Sequence, residues 1–254
     1  MATSCLGNHF DIHGGGMDLK FPHHENEIAQ SEGATGEKFA NTWMHVGFVR
    51  VDQEKMSKSL GNFFTVREVL AKFPAEVVRY FILVSHYRSP LDYSDDNLRA
   101  AKSALDGFYI ALRELPAAND IEGDEFEARF HNAMEDDFNT PKVFAELSAL
   151  ATEINRSKAT DVKKATRLAA TLRRLGGVLG LFQQDPEEYL RAGSDGAEAA
   201  PGGLSDKAID ELLSKRNQAR REKNWAESDR LRDELKQAGV LLEDGPAGTT
   251  WRRV

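Results

Sequence analysis

The segment "EKMSKSLG" (54–61) concentrates cationic and hydroxyl groups in a stretch too polar to be buried. Lys55 and Lys58 carry point charges on long flexible stems, and Ser57 and Ser59 add hydroxyl donors. A mobile cationic loop of this kind suits phosphoryl or nucleotidyl transfer, which is catalysed mainly by positioning and charge stabilisation. The alternative is an ordinary solvated surface turn, because most surface lysines are solvated.

The segment upstream, "NHFDIHGGGMDLKFPHHENE", must position whatever this loop serves. Residues 8–12 predict a short strand that ends in a glycine turn at 14–16, where a flat ligand could approach the backbone. Pro22 and the acidic residues after it predict a helix start, and Gly33 predicts its end. Residues 42–51, rich in β-branched and aromatic side chains, predict one buried strand before the loop.

The composition excludes several classes of protein. The 254-residue chain has a net charge of −8, which argues against broad non-specific affinity for nucleic acid. Its single cysteine, Cys5, excludes an internal disulfide framework and suits a reducing cytoplasm. The sequence contains no apolar run of ~18 residues, so no membrane span is expected. The N-terminal residues also lack the pattern of a signal peptide.

The rest of the chain is mainly helical. Thr65 predicts the cap of a short helix, and Ser94 predicts the cap of a long amphipathic one. Further helices up to residue 183 predict a bundle with short connections. Residues 184–205 are rich in Gly, Ala and Pro and predict a linker. Two helices and a hairpin are expected after it. The apolar stripe of the long helix consists of Leu98, Ala101, Leu105, Phe108, Leu112 and Leu115.

Several motifs together resemble the cysteinyl family of class I aminoacyl-tRNA synthetases: "LGNHFDIHGGGMDLKFPHHENEIAQSE", "EKMSKSLGNFFTVREVL", "RYFILVSHYRSPLDYSDDNL", "MEDDFNTP" and "VLLEDGPAGTTWRR". The resemblance implies an α/β part, which is an incomplete Rossmann-type catalytic domain, followed by an all-α bundle and a small α+β module. The expected domains are catalytic (1–64), stem-contact (65–93), helical anticodon-binding (94–183), linker (184–205) and anticodon-recognition (206–254).

The resemblance also implies an ATP site. Lys58 would contact the ATP phosphates, assisted by Lys55, with Met56, Ser57 and Ser59 on the same loop. Gly14, Gly15 and Asp18 match the stretch that receives adenosine, and a carboxylate such as Asp18 suits ribose hydroxyls. In relatives His13 lies beside the amino-acid pocket. Magnesium would accompany the ATP.

A zinc site is implied by the same resemblance. His23 and Glu27 match two ligands of a zinc ion that binds the thiolate of the substrate cysteine. Residues four apart share a helix face, and zinc accepts imidazole and carboxylate ligands. The two cysteine ligands of the family and its His-Ile-Gly-His signature would precede Met1. A half-site without metal is the alternative, and His24 is interpreted as a packing or hydrogen-bonding histidine.

The family match predicts that Arg220, Trp225, Asp229 and Asp244 read the anticodon. Without it, Trp225 could simply pin a helix. The surrounding segment carries Lys215, Arg216, Arg220, Arg221 and Lys223, a predicted local basic face. Asp136 and Asp137 of "MEDDFNTP" are interpreted as helix-end or interhelix hydrogen bonders, because carboxylates repel phosphate.

The predicted function is ATP-dependent ligation of cysteine to its tRNA, by a cytoplasmic chain for which a monomer is favoured. Because half of a nucleotide site should not stabilise adenylation, we expect this chain alone to have negligible activity. A non-catalytic tRNA-binding module is therefore one alternative. A cysteine:amino-sugar ligase of thiol biosynthesis is another, although such a ligase is not expected to need an anticodon reader.

Overall fold

A computed structural model describes residues 2–51, 54–56, 64–116, 118, 125–192, 204–245 and 248–253. An α/β part is followed by a helical bundle and by a small module of two helices and a hairpin. Among the helices of these ranges, none is both long and apolar enough to cross a membrane.

The α/β part begins with helix α1 (Ala2–Leu6) and strand β1 (Phe10–Gly16). Strand β1 pairs in parallel with β2 (Ala40–Val46) along its whole length, with Gly14 opposite Met44 and Gly16 opposite Val46. The glycines therefore belong to the strand, and the prediction of a glycine turn after residue 12 was wrong. Helix α2 (Glu25–Thr35) runs past Gly33 and ends at Gly36, whose φ of 70° suits glycine.

The strand predicted over 42–51 is divided. Strand β2 ends at Val46, and β3 (Val49–Val51) pairs in parallel with β5 (Leu91–Tyr93) and antiparallel with β4 (Glu54–Lys55). The break lies at Gly47, where a Cβ atom would lie 2.2 Å from the carbonyl oxygen of Ser89. The close passage of this second segment therefore leaves room only for glycine at the bend between β2 and β3.

Two of the predicted helix caps are confirmed. Thr65 and Glu68 form a reciprocal capping box at the start of α3 (Val66–Leu70). The hydroxyl of Ser94 accepts a hydrogen bond from the backbone N–H of Asn97 at the start of α5 (Asp95–Leu112). Helix α4 (Ala75–Leu83) lies between them and begins after Pro74.

The bundle consists of α5 with α6 (Glu125–Glu135), α7 (Thr140–Lys158) and α8 (Val162–Val178). All six residues of the predicted apolar stripe are buried in one continuous core. Helix α9 (Pro186–Ala192) adds Tyr189 and Leu190 to this core. The first part of the segment expected to be a linker is thus helical, because its two apolar side chains are buried against the bundle.

The C-terminal module consists of α10 (Asp206–Arg221), α11 (Trp225–Gln237) and an antiparallel hairpin of β6 (Val240–Gly245) and β7 (Gly248–Arg253). The hairpin was predicted from the sequence. Trp251 is buried at the centre of a small core with Ile209, Leu235 and Val240, and its indole N–H donates to Asp210. The hairpin also packs on α9, which joins the module to the bundle.

Candidate active site and anticodon-reading surface

One face of the β1–β2 pair carries a row of imidazole and indole rings. Side chains two residues apart on a strand point to the same side, and the register pairs His13 with Trp43 and Gly15 with His45. The His13 and Trp43 rings lie with centroids 4.6 Å apart. The parallel pairing therefore brings two histidines and a tryptophan together around a glycine.

His24 lies over this face, directly above Gly15. A Cβ atom at Gly15 would lie 2.8 Å from Cε1 and 3.0 Å from Nε2 of the His24 ring, so only glycine leaves enough room. His24 is buried, and its Nδ1 lies 2.9 Å from Nε2 of His45, within hydrogen-bonding distance. This placement agrees with the interpretation of His24 as a packing and hydrogen-bonding histidine.

Burial lowers the pKa of His45, and the neighbouring His24 lowers it further. A neutral His45 is consistent with the close His24–His45 pair, since two protonated rings would repel each other. One ring then donates the proton and the other accepts it. His45 was not predicted from the sequence, although its period-two spacing from Trp43 in a predicted strand was a usable signal.

Glu27 completes a potential metal-binding group with His13 and His24. One potential ligand atom from each of these three side chains lies within 4.8 Å of the other two. Oε2 of Glu27 lies 3.0 Å from Nε2 of His13. Two imidazoles and a carboxylate form a donor set that zinc accepts. His23, the imidazole predicted from the family match, is exposed and lies outside this group.

Two of the residues predicted to receive adenosine, Gly14 and Gly15, lie on strand β1. Gly14 leaves room for a Cβ atom, which would lie 3.6 Å from the carbonyl oxygen of Met44. The exposed Asp18 follows in a short helical turn (Met17–Leu19), and its carboxylate folds back towards Gly16. The close approach permitted at Gly15 is occupied by an imidazole, which the sequence analysis had not foreseen.

The predicted ATP loop is only partly covered by the structure. Lys55 is in β4, where its backbone pairs with Arg50, whereas Ser57, Lys58 and Ser59 lie outside the described residues. Met56 and Phe64, on either side of residues 57–63, both line one apolar cavity of about 170 Å³ between β3, β5 and α4. The residues that flank the predicted loop thus lie at the same apolar cavity.

At the other end of the molecule, Arg220 and Asp244 contact each other directly, with NH1 of the arginine 3.0 Å from Oδ1 of the aspartate. Hydrogen bonds from Arg216, and then from Thr249, hold the pKa of Asp244 far below its ordinary value. The carboxylate is therefore ionised at neutral pH. Both Arg220 and Asp244 are partly exposed.

Trp225 and Asp229 are one helical turn apart at the start of α11, and both are exposed. The Trp225 side chain is not pinned in a core, because 60 % of the residue is accessible to solvent. Arg216 is different: it is buried, so it does not belong to the solvent-facing basic surface to which the sequence analysis assigned it. Lys215, Arg221 and Lys223 are exposed as predicted.

Asp137 joins the bundle to the segment between α4 and β5. Its carboxylate accepts hydrogen bonds from the Tyr87 hydroxyl (2.6 Å) and from Nε (2.5 Å) and NH2 (3.1 Å) of Arg88. These bonds, with Arg88 the largest contributor, lower the pKa of Asp137 to about 2. Asp137 is thus a hydrogen bonder between elements, as its sequence interpretation proposed, and its partners could not be foreseen from the sequence.

Comparison with known families accounts for most of the chain in three consecutive segments. Residues 1–103 match the class I (C) tRNA synthetase catalytic domain, residues 129–183 match the DALR domain, and residues 203–252 match the cysteinyl-tRNA ligase anticodon binding domain. The class of protein that this order of domains defines is a class I aminoacyl-tRNA synthetase.

Comparison with individual proteins shows which synthetase family within this class the chain resembles. The chain is 62% identical to the cysteine–tRNA ligase of Methylococcus capsulatus over 258 residues and 60% identical to that of Azotobacter vinelandii over 255. Each alignment includes 100% of this chain and 54% of the relative, so the chain spans about half the length of these proteins. The chain belongs to the cysteinyl-tRNA synthetase family.

A solved structure supports the fold. The LeuRS–tRNA–LeuAMS ternary complex from Agrobacterium radiobacter superimposes with a TM-score of 0.52 at 21% identity, covering 70% of this chain and 27% of that one. At this identity the similarity concerns the fold alone.

Proposed function

We propose that this chain serves the ATP-dependent ligation of cysteine to its tRNA. It would provide the KMSKS loop (residues 55–59), the helical bundle and the anticodon-reading module of such a ligase. The observation that carries this proposal is the order of the three family segments, catalytic, DALR and anticodon-binding, along one chain that aligns over its full length with cysteine–tRNA ligases. We further propose that it acts in the cytoplasm.

For the catalytic part, the proposal gives Lys55 and Lys58 the ATP phosphates and gives Gly14, Gly15 and Asp18 the adenosine. Its structural support is that Met56 and Phe64, which flank the predicted loop, line the same apolar cavity. Cationic side chains on a loop between two neighbouring points of the fold can follow a phosphate chain as its charge shifts during reaction. Magnesium would enter bound to the ATP.

For the metal, the proposal is a zinc site built around Glu27. Its partners are an imidazole of the adjacent turn, His23 by family resemblance or His24 by contact, and His13. The described side chains fit zinc, because a carboxylate and neutral imidazoles are ligands that zinc accepts. When bound, zinc would hold the substrate thiolate and so distinguish cysteine from serine, since the softer sulfur ligand is preferred.

For RNA recognition, the proposal assigns anticodon reading to Arg220, Trp225, Asp229 and Asp244. The exposed Trp225 ring offers a stacking platform for an unpaired base. The partly exposed Arg220–Asp244 pair offers both donors and an acceptor to a base edge. An amino-sugar ligase would not need these features, which therefore favour a tRNA substrate.

The decisive experiment measures binding of an unmodified cysteine tRNA transcript to the full chain, with the same transcript carrying a substituted anticodon as the reference. We expect preference for the cognate anticodon. Trp225→Ala should weaken cognate binding by about 10-fold, because stacking of one base contributes ~1–3 kcal/mol. Val162→Ala, which truncates an exposed side chain in the bundle, is the control and should bind as the unaltered chain does. Equal affinity for both transcripts would refute anticodon reading.

Catalysis is tested separately by cysteine-dependent pyrophosphate exchange. Negligible exchange by this chain together with anticodon-dependent binding is the expected result. Exchange at the rate of a complete ligase would contradict that expectation and would show that the described half-site suffices. Binding of tRNA without anticodon preference would instead favour the amino-sugar ligase or a general RNA-binding module.

Zinc is tested by metal analysis of the purified chain and of Glu27→Gln, His23→Ala and His24→Ala variants. Loss of bound zinc in Glu27→Gln is expected. The two histidine variants decide which imidazole of the turn is the ligand. Retention of zinc in Glu27→Gln would remove the site from the proposal.

A further inference from the structure

Asp244 is held by more donors than a base-reading carboxylate needs. Its Oδ1 accepts hydrogen bonds from NH1 of Arg216 (3.1 Å), NH1 of Arg220 (3.0 Å) and the Thr249 hydroxyl (2.6 Å). Its Oδ2 accepts one from NH2 of Arg216 (2.9 Å). Arg216 therefore donates hydrogen bonds to both carboxylate oxygens, in the bidentate geometry that fixes the carboxylate plane.

The number of acceptor positions on the Asp244 carboxylate shows how many hydrogen bonds it can still accept from a ligand. A carboxylate offers about four acceptor positions, two on each oxygen. Oδ1 is crowded by three donors, whereas Oδ2 has one donor among the described residues, and the side chain is 47% exposed. Oδ2 can thus accept one further hydrogen bond from outside the protein.

Arg216 is placed unusually for a residue of a basic surface. Its side chain is only 5% exposed, and within the described part of the chain its Nε–H finds no acceptor. A buried charge with an unpaired donor is a poor means of stabilising a fold, because desolvation offsets much of the ion-pair attraction. A role in orienting Asp244 accounts for this buried arginine better than a contribution to stability does.

We propose that Arg216 is the positioning residue of the anticodon-reading surface. Its buried guanidinium fixes the carboxylate of Asp244 so that Oδ2 faces an amino or imino group of an unpaired base, and the same carboxylate holds Arg220 beside it. This inference rests on the proposed reading of RNA by this module. It assigns to Arg216 discrimination between bases rather than attraction of the phosphate backbone.

The test measures binding of the full chain to the cognate transcript and to a set of transcripts, each with one anticodon base replaced, over a range of salt concentrations. Arg216→Met should reduce the ratio of cognate to substituted affinities by about 10-fold at the position read by Asp244, since one base contact is worth ~1–3 kcal/mol. Its dependence on salt should match that of the unaltered chain, because a buried arginine releases no counterion.

Arg221→Gln is the matched comparison, because Arg221 lies on the same helix and is exposed. It should weaken binding to all transcripts alike and lower the slope of log affinity against log salt by about 0.7–0.9 if it contacts a phosphate. Arg216→Lys retains the charge but cannot form the bidentate pair of hydrogen bonds with Asp244. This variant should therefore still lose discrimination between anticodon bases. It also carries the test if Arg216→Met fails to fold.

A double-substitution cycle separates positioning from a structural effect. In an Asp244→Asn background, Arg216→Lys should reduce discrimination no further, because Arg216 acts through Asp244. Additive losses, or unchanged discrimination in a folded Arg216→Lys variant, would overturn the inference. If the unaltered chain shows no anticodon preference, the proposed function itself has failed. If preference persists but is insensitive to Arg216, only this inference has failed.

Discussion

Gly14 and Gly15 are neighbours on one strand, yet they differ in the space that a Cβ atom would have at each position. Gly15 lies against the buried His24 ring, whereas a Cβ atom at Gly14 would make an ordinary van der Waals contact. Glycine at position 15 is thus needed for packing within the protein. The sequence motif shows consecutive glycines but cannot tell which of them is sterically required.

This difference gives a matched pair of substitutions. Gly15→Ala should lower the free energy of unfolding by ~1–3 kcal/mol, because the added methyl group must displace the His24 imidazole. Gly14→Ala should be neutral or slightly stabilising, because alanine restricts the unfolded chain. Urea unfolding of both variants measures the difference. Equal effects would mean that the His24 ring moves aside at no cost.

His23 and His24 show why the members of the His13–His24–Glu27 cluster were only partly predictable from the sequence. The sequence rule that pairs His23 with Glu27 assumes a regular helix through both residues. Helix α2 begins at Glu25, and Phe21 in the preceding turn is extended, with φ −135° and ψ 133°. In this irregular turn His24 faces inward and His23 outward. Glu27 lies within the regular helix and is in the cluster with His13 and His24, and its role as a metal ligand stays a prediction.

At the scale of elements, the segment between α4 and β5 is held from two sides. On one side, the backbone N–H of Gly47 donates to the carbonyl of Tyr87, and the N–H of Leu91 donates to that of Phe48. On the other side, the carboxylate of Asp137 accepts hydrogen bonds from the side chains of Tyr87 and Arg88. The segment therefore connects the strands of the catalytic part to the turn before α7.

The Asp137 contact should be sensitive to acid. Its folded pKa of about 2 lies below the ordinary 3.8, so ionisation favours the folded state. This contribution is fully present above about pH 4 and is lost as the pH falls through 2. Asp137→Asn should lower the thermal midpoint at pH 7, and its deficit should shrink below pH 4. The neighbouring Asp136→Asn is the control and should preserve the pH dependence. A deficit that does not change with pH would rule out the ion pair as its cause.

Elements with local signals were predicted well, and those shaped by distant contacts were not. The caps at Thr65 and Ser94 depend on residues three positions away, which are legible in the sequence. The division of the strand at Gly47 depends on Ser89, far along the chain. Helix α9 was assigned to a linker because its apolar residues are too few to show a period.

At the scale of the whole molecule, Arg113 is the central connection between the bundle and the C-terminal module. Directly after α5, its guanidinium donates to both carboxylate oxygens of Glu187 on α9, and to Thr250 and the backbone carbonyl of Trp251 on β7. A second bridge joins Arg252 on β7 to the buried Asp106 on α5 at 2.9 Å. Neither bridge passes through residues 193–203.

Removing this connection should loosen the hairpin. Arg113→Met should lower the free energy of unfolding by about 2 kcal/mol, less than for a fully buried pair because the partner carboxylates are partly exposed. Amide hydrogen exchange in β6 and β7 should accelerate more than in α7. Arg99→Gln, which removes only an exposed pair with Asp96, should cost no more than ~0.5 kcal/mol. Unchanged exchange in the hairpin would show that its other contacts, from Arg252 to Asp106 and from Arg253 to the carbonyl of Arg191, suffice.

The attachment of the hairpin to the bundle has a consequence for chain continuity. The bridges from Arg113 and Arg252 join α5 and α9 to the last strand, so we expect them to orient the module without the help of the covalent connection after α9. A break in that connection should leave the two pieces associated. A change in the length of this connection should likewise leave the distance between the bundle and the C-terminal module unaltered.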